Sequence, residues 1–206
     1  MAIYDYVWIH CHSAGPGNGL QADRARSNPP ARDQQWHSLG PDQAGVLIMN
    51  HVPLRLERTT DRDVHDDLML RLGTYRHVCD SYYLAIDESA QTDQNVADSL
   101  VRLLDQWDEH LQRLRLTGGT VLLPFDFSDQ CTAWLRVSSP DGGRATVEAG
   151  WSSIEGWSFY PSDFAETAAR VHDFKPVVNA SVECDLGDLI AAVTQNRESL
   201  ALQANG

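Results

Sequence analysis

Positive charge is scarce in this chain. Its 16 basic residues stand against 29 acidic ones, and among the bases there is one lysine, Lys175, the rest being arginines. A formal net charge of −13 removes the usual basis of nucleic-acid binding, which is the neutralisation of phosphates by Lys and Arg. The same deficit argues against adsorption to an anionic membrane surface. No apolar run reaches the roughly 18 residues that a spanning helix needs. The opening residues Met1-Ala2-Ile3-Tyr4-Asp5 have neither the basic start nor the apolar stretch of a secretory signal, so the expected location is the cytoplasm. Cysteine is also sparse. Cys11, Cys79, Cys131 and Cys184 are scattered without a Cys-x-x-Cys pair, which excludes a paired-cysteine zinc module. In a reducing compartment they read as small buried hydrophobes, although their even number also permits two disulfides.

Familiar catalytic motifs are missing as well. A phosphate-binding loop needs Gly-Lys-Ser/Thr, and Lys175 is followed by Pro176 with no glycine before it. His-Glu-x-x-His and Gly-x-Ser-x-Gly do not occur. Gly17-Asn18-Gly19-Leu20-Gln21-Ala22 meets a relaxed dinucleotide fingerprint, but Pro29-Pro30 leave space for only about two helical turns after it. It reads as a loop.

What is present suits one α+β domain spanning residues 1–206. Ile3 to His12 alternates as a strand, with Tyr4, Tyr6, Trp8, His10 and His12 on one face. Residues 13–43 form a long Gly- and Pro-rich stretch that forbids a regular element. Val46 to Glu57 reads as a strand interrupted near Pro53, Asp61 to Leu72 as a short helix, and Tyr75 to Ile86 as extended. The strongest signal runs from about residue 92 to 116. There Val96, Leu100, Leu103, Trp107, Leu111 and Leu114 form one apolar stripe, ended by Gly118-Gly119.

A mainly antiparallel meander is expected at about 120–160, through Thr120–Phe127, Gln130–Ser138 and Arg144–Trp151, with a short fourth strand at Trp157–Tyr160. Setting Val137 opposite Val147 and Leu135 opposite Ala149 keeps apolar partners together and places Arg136 opposite Glu148. The turn then falls at Asp141-Gly142-Gly143, with a glycine in the left-handed region. Two shorter C-terminal helices should pack on this sheet beside the long one. One starts at Pro161-Ser162-Asp163 and runs to about His172, and one is capped by Asp185.

Three groups of residues have types suited to chemistry. His10 and His12 project to one side of their strand and could share a zinc ion, the only cofactor the sequence suggests, although two histidines beside Tyr4, Tyr6 and Trp8 more often belong to an aromatic packing face. No cofactor is therefore expected. Asp61, Asp63, Asp66 and Asp67 crowd seven residues but lack the glycine and closing glutamate of a calcium loop, so a solvated helix start accounts for them. Asp126, Asp129, Trp134, Trp151, Glu155, Trp157 and Asp163 concentrate indole rings and carboxylates near chain reversals. Such a set could perform acid/base hydrolysis on a sugar. It equally suits a surface that meets a cationic partner, with aromatics as anchors and carboxylates steering the encounter.

The second reading needs no catalytic constellation. It makes the chain an acidic, non-catalytic binding module that neutralises or recruits a basic protein, with no nucleic-acid or membrane partner. In size, acidity and lack of a catalytic motif the whole chain resembles bacterial immunity proteins, which cover the active site of a cognate toxin. The resemblance is one of general character and assigns no residue. The alternative is a hydrolase, either metal-assisted through His10 and His12 or working through carboxylates in the Asp126–Asp163 region.

Overall fold

The structure is a computed structural model that describes residues 54–59, 65–87 and 96–204. The expected strand at Ile3–His12, the 13–43 stretch, His10, His12, Asp61 and Asp63 lie outside the described residues. Two antiparallel sheets and two long helices make up the described part, an α+β arrangement as the sequence led us to expect.

The first sheet is a three-stranded meander of β1 (Leu54–Arg58), β2 (Leu68–Leu72) and β3 (Tyr75–Cys79), in that order. Strand β2 replaces the helix expected over Asp61–Leu72. Its Leu68, Leu70 and Leu72 alternate at period two and are all buried, a pattern the preceding carboxylates mask in a helical reading. Leu72 pairs with Tyr75 across a two-residue turn, and Gly73 at its first position has φ of +60°, the backbone that such hairpins reserve for glycine. The extended reading of Tyr75–Ile86 is right as far as Cys79. After it the chain turns into a single helical turn, α1 (Tyr82–Ala85).

Helix α2 (Val96–Thr117) follows the apolar stripe. Leu100, Leu103, Trp107, Leu111 and Leu114 are buried, each such side chain contributing roughly 1.5–3 kcal/mol when removed from water. Gly118, with φ of +63°, ends the helix and donates its N–H to the Leu114 carbonyl at 2.8 Å.

The second sheet contains β4 (Gly119–Phe127), β5 (Thr132–Ser139), β6 (Arg144–Ser152) and β7 (Lys175–Asp185) in sequential order. Between β5 and β6 the register is the expected one: Val137 faces Val147, Leu135 faces Ala149, and Arg136 faces Glu148, whose carboxylate accepts from Nη2 at 2.7 Å. Gly142 takes the left-handed position in the connection, with φ of +75°.

The fourth strand is β7 rather than Trp157–Tyr160. Those residues form a 3-10 turn at Gly156–Ser158 and a short extended link into a second such turn at Pro161–Asp163. The helix expected from there to His172 reduces to one turn, α3 (Ala165–Ala168), because Ala165–Ala168 presents only one buried side chain, Thr167, and little apolar surface holds a longer helix down. The last helix is long instead of short. α4 (Leu186–Ala204) packs along α2 and buries Leu186, Leu189, Ile190, Val193 and Leu200.

Helix α4 also reaches the first sheet. The Asn196 side chain accepts from the Leu56 N–H at 3.2 Å and donates to the Leu54 carbonyl at 3.3 Å, as a neighbouring strand would. Among the described residues no helix is long and apolar enough to cross a membrane.

Candidate functional site

The residues with chemical potential gather at one end of the molecule, where β3, α1, the start of β5 and the long β6–β7 connection meet. That connection spans 153–174 and is fastened at both ends. Asp173 accepts from Ser152 Oγ at 2.6 Å, Ser153 N at 2.8 Å and Ser153 Oγ at 2.5 Å. Burial pushes the Asp173 carboxyl up, but these three donors outweigh it and hold the pKa at about 2. The middle of the connection is pinned too. Gly156 N donates to Ser128 O at 2.7 Å, and a Cβ at Gly156 would lie 2.8 Å from that oxygen, so only glycine allows the approach. Ser162 N donates to Asp87 Oδ2 at 2.8 Å, which joins the connection to the segment after α1.

This framework sorts the residues singled out from sequence. Trp134 is 0% exposed, stacked on Phe159 with ring centroids 5.8 Å apart, and its indole N–H has no partner among the described residues. It is a core residue, as its place on the central strand β5 dictates, and cannot meet a partner at the surface. Asp126 is 9% exposed and interior. Trp151 is half-buried, with its ring edge-on to His77 at 5.4 Å. Asp129, Glu155, Trp157 and Asp163 are exposed, Trp157 to 64%.

Tyr160, in the same Trp- and carboxylate-rich stretch, is 51% exposed, and sequence reasoning overlooked Tyr82 and Ile86, 41% and 48% exposed, on the α1 segment that the Ser162–Asp87 hydrogen bond ties to this connection. Their signal is faint, because isolated surface aromatics look like any others until the fold brings their segments together. The exposed carboxylate of Asp129 accepts a hydrogen bond from the Tyr83 hydroxyl. Burial, helped by that carboxylate, pushes the phenol pKa of Tyr83 well up.

Beneath this surface lies a second group, of which the sequence reading singled out Asp126 alone as a site residue. His77 and Cys79 are two apart on β3 and so share a face, together with Tyr75. Asp126 reaches them from β4, where a register irregularity between Pro124 and Asp126 re-aims the side chain. His77 Nε2 lies 2.7 Å from Asp126 Oδ2. The other oxygen, Oδ1, accepts from Asp80 N at 3.1 Å and from Phe127 N at 3.0 Å. The ligand atoms of His77, Cys79 and Asp126 all lie within 4.8 Å of one another. Burial, then the Asp126 charge, push the Cys79 thiol well up, and burial lifts the Tyr75 phenol to about 12. The thiol is therefore no free thiolate nucleophile. The sequence signal existed: His77-Val78-Cys79 has the same two-residue spacing that drew attention to His10 and His12.

Of the crowded carboxylates, Asp67 is interior instead of solvated. It accepts from Ser81 N at 3.0 Å and Ser81 Oγ at 2.7 Å, and Arg58 Nη2 lies 3.7 Å away. His65 Nδ1 and Asp80 Oδ2 are 2.6 Å apart, and burial raises the Asp80 pKa against that hydrogen bond. Cys79 and Cys184 are buried free thiols, as expected of small hydrophobes, whereas Cys131 is disulfide-bonded. No protein-family profile matches the chain, and neither a curated protein nor a solved structure matches it.

Proposed function

We propose that the chain is an acidic, non-catalytic binding module whose aromatic end docks a basic protein, neutralising or recruiting it in the manner of an immunity-type inhibitor of a toxin. The observation that carries this reading is Trp157, a large ring left 64% exposed on a fastened connection. Exposed indole and phenol rings supply contact area at low entropic cost, and Trp and Tyr dominate the energetics of protein interfaces. Glu155 and Asp163, on the same connection, and Asp129, next to its Ser128 anchor, supply the negative rim. The overall charge of −13 would steer a cationic protein towards the molecule from a distance. Asp126 and Trp134, being interior, take no direct part.

The test uses the full chain as bait in lysate of its native host, at low and high salt, beside Trp157→Ala and a Glu155→Lys/Asp163→Lys double variant. A basic protein held by the wild type should be identified, purified and measured for association and dissociation rates. Trp157→Ala should speed dissociation about 30-fold, the worth of a typical hot-spot residue. The charge reversals should slow association and flatten its salt dependence. A partner that binds both variants as it binds the wild type, or one without net positive charge, refutes the reading.

A further inference from the structure

We propose that His77, Cys79 and Asp126 form a binding site for a single zinc-class divalent ion, which would clamp the three-stranded sheet to the four-stranded one. The donor set is one imidazole nitrogen, one sulfur and one carboxylate oxygen, a mixture that suits zinc and its borderline-soft neighbours and is ill-suited to calcium or magnesium. The three ligand atoms fall within 4.8 Å of one another. Around a tetrahedral ion with bonds of roughly 2.0–2.3 Å, donors sit about 3.3–3.8 Å apart. The 2.7 Å contact between His77 Nε2 and Asp126 Oδ2 therefore opens by about 0.6 Å, and the widest separation closes by about 1 Å, to admit the ion, shifts within the reach of side-chain rotation.

The support around the carboxylate is already in place. Oδ1 of Asp126 is engaged by the backbone N–H groups of Asp80 and Phe127, which fixes the plane of the group and turns Oδ2 towards His77. Backbone donors of this kind orient metal-ligating carboxylates. The His77 ring is likewise held by its neighbours, with Tyr75 stacked at 6.2 Å and Phe125 and Trp151 edge-on at 5.7 and 5.4 Å.

Charge also balances. A divalent ion with one thiolate, one carboxylate and a neutral imidazole makes a neutral core, which a buried site tolerates better than an isolated charge. Binding displaces the thiol proton to solvent and leaves the imidazole proton of His77 on Nδ1, with the ion's fourth position open to a further donor. The ligands come from β3 and β4, so the ion joins strands of different sheets.

The probe is Co²⁺ titrated into the full chain under anaerobic conditions, with zinc as competitor. One equivalent should give the visible absorption of tetrahedral cobalt and a sulfur-to-cobalt charge-transfer band, both erased by zinc. Cys184→Ser should keep these features. Cys79→Ser should lose the charge-transfer band, and His77→Gln should bind on the order of 100-fold more weakly. Circular dichroism checks that each variant folds. X-ray absorption of the wild-type zinc form needs no variant, and it should show one sulfur at about 2.3 Å beside nitrogen and oxygen at about 2.0 Å. Absence of stoichiometric binding, a charge-transfer band that survives Cys79→Ser in a folded protein, or a zinc shell without sulfur overturns the proposal.

Discussion

Substituting Asp173 by Asn leaves the shape of the side chain intact and removes the charge that gathers Ser152 and Ser153 at the mouth of the β6–β7 connection. The folded carboxyl titrates at about 2 against an ordinary 3.8. At about 1.36 kcal/mol per pK unit the difference corresponds to an upper bound of roughly 2.4 kcal/mol. Asp173 is exposed, so screening by water brings the expected loss nearer 1 kcal/mol. The pKa is lowered on folding, so this stabilisation is complete above the unfolded value and disappears as pH falls from 3.8 through about 2. Urea denaturation of wild type and Asp173→Asn should thus differ by about 1 kcal/mol at pH 7. Near pH 3 only about half that gap should remain. A gap that is the same at both pH values, or absent at pH 7, would show that the serine clamp does not act through charge.

Three further outcomes follow from the packing. Gly142→Ala puts a Cβ 2.1 Å from the Arg115 carbonyl oxygen in a backbone with φ of +75°, and should cost at least about 1–2 kcal/mol in urea melts. A melt indistinguishable from wild type would mean the β5–β6 connection is not held against the end of α2. Asn196→Ala strips the Leu54 carbonyl and Leu56 N–H of their partner, so a loss of about 1–3 kcal/mol is expected in the same assay, and Asn196→Asp should recover little because the carboxylate cannot donate to Leu54. Burial keeps the Cys79 thiol protonated and lifts that of Cys184 to about 11, so a thiol reagent at pH 8 should label neither in the native protein and both after unfolding; peptide mapping that finds rapid native labelling would contradict their burial.

Local physics made much of the fold legible. The α2 stripe is an undiluted helical period over six turns, and the β5–β6 register follows from apolar pairing plus one complementary Arg136–Glu148 pair. The misreadings share a cause. At Leu68–Leu72, five residues of leucine alternation were outvoted by upstream aspartates that favour helix starts, while β7 carries several exposed positions and a left-handed Asn179 that break its alternation. Tertiary contacts decided both. The site was legible by type and not by place. Trp134 and Trp157 look alike in sequence, yet one sits on a central strand and the other on a turn. His77, Cys79 and Asp126 meet only because two sheets pack together, a contact across 47 residues that no local pattern encodes.

The Asn196 amide has a consequence beyond helix–sheet attachment. Among the described residues strand β1 borders its sheet, and an uncovered border offers a row of hydrogen-bonding groups to any extended segment of another molecule. At Leu54 and Leu56 that row is already occupied by a side chain too short to be extended into a further strand. A protein that must wait at high concentration without fibrillising gains from such a plug, which ends the ladder where a copy of itself would otherwise begin.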